Sequence, residues 1–192
     1  MVESVSMTNN NEREALANYL KSEEQWLRDV QREQGGRIYL ETLGEKMVTA
    51  LVVAYQGGDE ATIDRGLASF DMVFGMAGEY ALTIKDEAAM LQSFLVGFRD
   101  SMVYSGIQIG ELPKGTDFDG DRTAAFVAGA TLARHLRVVM VWTDAKRAVK
   151  NLREQIALVE SSEEVHLQRF VGGIKRELVQ RGIIQNDKRE TA

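Results

Sequence analysis

Residues 121–182, DRTAAFVAGATLARHLRVVMVWTDAKRAVKNLREQIALVESSEEVHLQRFVGGIKRELVQRG, contain no proline and read as one very long helix, or as two helices run nearly end to end. Between Ala124 and Trp142 the residues Phe126, Val127, Leu132, Leu136, Val138, Val139, Met140 and Val141 cover every face of a helical turn. That is the pattern of a helix sheathed by others. From Ala145 onward it narrows to a two-position seam, Ala145, Val149, Leu152, Ile156 and Val159, with Lys146, Arg147, Lys150, Arg153 and Glu154 on its flanks. So narrow a seam calls for one partner helix. The economical partner is the same helix of a second copy, because most homo-oligomers close as two-fold dimers. A homodimer is therefore expected. Ser161 with Glu164 forms a capping-box pattern that could end one helix and start the next. The apolar stripe resumes at Leu167, Phe170, Val171, Ile174 and Leu178, passes Gly172-Gly173, which predicts a weak joint, and closes at Gly182.

Outside this stretch, composition sets the class. The 192 residues are 44% hydrophobic, enough for one substantial core. They include a single proline, Pro113, and this points to an all-α fold, since turns in sheet proteins collect proline and helices exclude it. A net charge of −6 argues against a general affinity for nucleic acid or an anionic membrane. The absence of cysteine excludes disulfides, thiolate metal sites and a cysteine nucleophile. No apolar run is read as approaching the roughly 18 to 20 residues that span a bilayer, and the first ten residues lack a signal pattern. The expected location is the cytoplasm.

In chain order, residues 1–10 are polar and expected as a disordered tail. A first helix runs from Asn11 through Leu16, Leu20, Leu27 and Val30 to Gly35-Gly36. A second spans Arg37 to Gln56 and stops at Gly57-Gly58. Asp59 caps a third, whose inward residues are Ile63, Leu67, Phe70, Phe74, Ala77 and Ala81. Gly66, Gly75 and Gly78 cost that helix stability unless a backbone or ligand approaches them. Thr83 with Asp86 suggests the start of a fourth, running to about Tyr104 with Leu91, Phe94, Leu95, Phe98 and Met102 inside. The expectation is a helical sensory-type domain over 11–160, a C-terminal helical extension over 161–184 and a disordered tail over 185–192. In all, that makes a bundle of about five to six helices with a long C-terminal helix.

Candidate sites are few. Asp117-Phe118-Asp119-Gly120-Asp121 alternates carboxylates like a calcium loop, but Arg122 stands where glycine is required and Ala128 where a bidentate glutamate is required; N-capping of the long helix is the better reading. Glu163-x-x-His166 has half of a di-iron motif with no second half. No metal site is expected. His135, in the apolar half of the long helix, could serve as an axial haem ligand or as a hydrogen-bonded cleft residue. If the domain holds a small molecule, the place for it is Phe70, Phe74, Phe94, Phe98 and Trp142 around His135; the competing reading is that these rings simply fill the core. The cations at 146–153 and 175–189 read as solvated flanks, since no DNA-binding motif surrounds them. No nucleophile and base stand at a recognisable spacing, so no catalytic role is expected.

Tyr39-Leu40-Glu41-Thr42-Leu43-Gly44, the Gly57-Gly58-Asp59 stop and the run from Leu91 to Phe98-Arg99 resemble the N-terminal sensory domains of RsbR-type stressosome regulators, over roughly residues 37–160. The resemblance implies a globin-like helical fold lacking haem, dimerisation, and a long C-terminal helix leading to an output domain; here some thirty residues follow that helix, and a stand-alone module is expected. It leads to the expectation of a dimeric sensor that relays a signal through its C-terminal helix to a partner protein. An adaptor whose 167–184 tail lies in a partner's groove, and a haem sensor using His135, are the alternatives.

Overall fold

The computed structural model describes residues 3–106, 123–142 and 144–185. The order of elements is α1 (Glu3–Gln56), α2 (Glu60–Thr83), a 3-10 turn (Lys85–Ala88), α3 (Ala89–Tyr104), α4 (Thr123–Val141), α5 (Lys146–Glu160) and α6 (Val165–Gln180). The fold is all-α, and no strand occurs among the described residues. The acidic stretch 117–121 lies outside those residues, as do positions 1–2 and 186–192 of the two expected tails.

α1 is two helices joined at Gly35, whose φ of 79° and ψ of 171° lie outside helical space. That φ is open to glycine and strained for other residues. The Lys46–Glu23 ion pair of 2.9 Å shows the consequence. Twenty-three residues of straight helix would separate the two by about 35 Å, so the halves fold back on each other. Trp26 lies under the Lys46 ammonium, 4.7 Å from its ring centre, and helps close the hairpin. The expected Gly35-Gly36 stop is observed, but helix begins at Glu3 instead of Asn11, so residues 3–10 of the expected tail are helical. The hairpin into α2 is made as anticipated: Asp59 accepts from the Thr62 N–H at 2.9 Å.

Thr83 ends α2, where a helix start was expected; its hydroxyl donates back to the Tyr80 carbonyl at 2.7 Å. The chain turns through the 3-10 segment with Lys85 at a φ of 48°. Gln92 holds this corner together. Its buried amide donates to the Ala81 carbonyl in the last turn of α2 and to the Lys85 carbonyl of the 3-10 turn, at 3.1 and 3.0 Å.

Two helix crossings set the core, and both use glycine in the same reciprocal way. In α3 and α4, a Cβ at Gly97 would strike the Phe126 carbonyl and one at Gly129 would strike that of Phe94. In α1 and α6, Gly44 meets the Phe170 carbonyl and Gly173 meets that of Glu41. Each glycine thus receives the carbonyl three residues before its counterpart, an antiparallel approach closer than ordinary 8–10 Å helix packing. Gly173 is therefore a packing site, and α6 continues unbroken through the Gly172-Gly173 pair that was expected to weaken it. Gly66 likewise receives the backbone of Ala54, whereas Gly75 faces open space.

The expected long C-terminal helix is broken twice, at 142–145 and at 161–164, which lets α5 turn back against α4 and α6. This overturns the seam argument. Leu152, Ile156 and Val159 are 0%, 1% and 3% exposed within one chain, and Val149 packs against the same core. The inference of a twin assumed a helix projecting from the domain; a helix folded back finds two neighbours in its own subunit. Ala145 is the N-cap residue of α5, not a seam position. The 161–184 segment is not an extension either: Leu167, Phe170, Val171, Ile174 and Leu178 belong to the main core, so no stripe there is free for a partner's groove. The second break is capped by Glu164, not by Ser161.

Candidate functional site

The predicted ligand pocket separates into two places. Phe70, Phe74, Phe94 and Phe98 are at most 1% exposed and stack on one another with ring centres 5.5–6.2 Å apart. They fill the core, as the competing reading held. His135 and Trp142 lie elsewhere, at the elbow where α4 gives way to α5.

The elbow follows from the sequence locally. α4 ends as Trp142 donates its N–H to the Val138 carbonyl at 2.9 Å, and α5 begins after Ala145. Between the two helices lies an open notch of about 470 Å³, lined by His135, Val138, Trp142, Asp144, Lys146 and Arg147 among others. The Trp142 indole stands 67% exposed as one wall. His135 is half-buried; burial first and the neighbouring Arg134 second hold its pKa below the usual histidine value, which favours the neutral imidazole.

Three features of the elbow break the ordinary rules of helix construction. The first is apolar exposure: α4 was expected to be sheathed, yet Val127, Val141 and Trp142 are exposed on one side while Ala125, Leu132, Leu136 and Met140 face the core. Ala124–Val141 has a mean hydropathy of 1.4 over 18 residues, with only 39% of the stretch buried. By length and composition it could cross a bilayer, which corrects the expectation that no run approached that size. The second is charge at the start of α5. Ala145 offers no capping side chain, and Lys146 and Arg147 place two cations at the positive end of the helix dipole. The third is missing compensation. Lys175 pairs with Glu160, Arg176 with Glu41 and Glu45, and Arg181 with Glu177, but among the described residues no carboxylate pairs with Arg134, Lys146 or Arg147.

Charge is also unevenly divided along the chain. Within residues 123–153 six lysines and arginines stand against Asp144 alone, in a protein whose net charge is −6. The elbow is thus a basic, apolar face on an acidic molecule.

Two further polar residues, Glu164 and His166, take roles the sequence reading did not give them. Glu164 accepts from the N–H groups of His166 and Leu167 at 2.6 and 3.1 Å and from that of Leu91 at 3.2 Å, so one carboxylate serves the first turns of both α6 and α3. Burial, the largest influence, holds its pKa above the usual glutamate value against those three donors. His166 sits beside it, with Nε2 4.0 Å from a Glu87 oxygen and Nδ1 buried. Its place is this junction between α6 and the 3-10 turn. Among the described residues no three His, Asp or Glu side chains converge as metal ligands would. No protein-family model, curated protein or solved structure matches the chain.

Proposed function

We propose that this chain is a cytoplasmic, non-catalytic interaction module of a signalling assembly, and that it engages its protein partner through the α4–α5 elbow. The observation that carries this reading is the exposure of Trp142 and Val141 near Arg134, Lys146 and Arg147, which have no carboxylate partner among the described residues. Exposed apolar groups ringed by unneutralised charge mark surfaces that are covered in use, and tryptophan and arginine are the side chains most enriched at the centres of interfaces. The reading keeps the class of sensory module that the stressosome-type resemblance suggests, with its globin-like architecture, and moves the output surface from a paired C-terminal helix to the elbow. Homodimerisation stays within the proposal only through faces outside the α5 seam.

Replacing Trp142 by the photocrosslinker p-benzoylphenylalanine in the full chain, expressed in its native cells, tests the proposal. A discrete adduct with one other polypeptide is expected at position 142 and not at the exposed control position Asp64. Equal labelling at both positions, or none at either, would contradict it.

A further inference from the structure

We infer that the elbow notch recognises an acidic peptide that inserts one bulky apolar side chain beside Trp142. The inference rests on the elbow being an interaction surface, and adds the chemistry of what occupies it. The notch, about 470 Å³, is large enough for a single aromatic or branched side chain. Its apolar surfaces come from Val138, Trp142 and Ala145; Lys146 and Arg147, on the first turn of α5, line it together with one carboxylate, Asp144, so two cations face one anion there. A ligand that only buried the apolar wall would leave those cations desolvated and unpaired, which is costly. Carboxylates on either side of the inserted side chain remove that cost and satisfy the unfavourable placement of two cations at a helix N-terminus.

Charge complementarity selects among occupants. A second copy presenting the same elbow would set Arg134, Lys146 and Arg147 against their own equivalents, so self-pairing here is disfavoured. An anionic bilayer also suits exposed tryptophan, valine and basic side chains, but it binds an extended apolar face more than a single notch. A peptide supplies both the charge and the side chain that fits.

The test titrates the full chain with a fluorescein-labelled peptide of sequence Gly-Asp-Asp-Phe-Asp-Asp-Gly, followed by anisotropy and tryptophan fluorescence. Two control peptides replace the aspartates by asparagine or the phenylalanine by serine. Saturable binding is expected that falls about tenfold or more with either control peptide, with Trp142→Ala and with the pair Lys146→Glu and Arg147→Glu, and that weakens as salt is raised. These positions are exposed, so the variants keep the fold; far-ultraviolet circular dichroism verifies it. Equal binding of the asparagine peptide, or undiminished binding by the variants, overturns the inference. So does failure of the peptide with retention of phosphatidylserine vesicles that Trp142→Ala abolishes, which would make the elbow a lipid-surface site. Loss of the Trp142 crosslink would instead remove the interaction reading itself, so the two failures are separable.

Discussion

Gly172 and Gly173 are neighbours in α6 with opposite duties. A methyl group at Gly172 meets nothing within 4 Å, so Gly172→Ala keeps only the benefit of higher helix propensity and is expected to stabilise by up to about 1 kcal/mol. At Gly173 the same methyl collides with the Glu41 backbone, and Gly173→Ala is expected to destabilise by about 1–3 kcal/mol as α1 and α6 are forced apart. Denaturant midpoints of the two variants check both signs. Glu164 makes a second prediction. Because its folded pKa is raised, its contribution is fully present below the ordinary glutamate range and is lost as pH rises through the elevated value. The stability of the wild type relative to Glu164→Gln should therefore decline from about pH 4 toward neutrality, measured by urea unfolding at a series of pH values. A gap that is flat or widens with pH would show that the carboxylate's three N–H partners outweigh its burial. Neither duty was readable from composition: a glycine in a helix announces a cost, and only the partner backbone shows what that cost permits.

The elements were more legible than their ends. The stops at Gly35 and Gly57-Gly58 and the Asp59 cap carry local signals: glycines that break a helix, at Gly35 with a positive φ, and a side chain that accepts from an N–H the helix leaves without a carbonyl. The break at 142–145 carries neither. Its trace was the change of apolar pattern itself, from all-round before Trp142 to a narrow seam after Ala145, which marks two different environments and hence a turn between them. Taking the pattern as continuous made α5 look as though it needed a partner outside the chain. With α5 folded back, Leu152 and Ile156 are core residues. Leu152→Asp with Ile156→Asp should unfold the protein instead of yielding a folded monomer, and Leu152→Ala alone should cost about 2–5 kcal/mol. Circular dichroism melts and light scattering distinguish these outcomes.

At the scale of the molecule, the aromatic residues singled out by sequence divided according to what the chain could cover. Four phenylalanines on α2 and α3 met each other across the core, while Trp142, one residue past the end of α4, was left outside with His135 at the edge. Sequence could place both sets on helices; it could not say which faces the topology would pair. Among the surfaces left uncovered once α5 and α6 have closed on α4 and α1, the elbow joins exposed apolar groups to basic side chains, so its assignment as a working surface depends on the α5 seam being satisfied by one polypeptide. Hydrogen exchange of the 152–159 amides, followed by mass spectrometry over about a hundredfold dilution, tests that dependence most directly. Protection that is strong and independent of protein concentration is predicted. Protection that falls on dilution, as a seam between two chains separates, would contradict the account.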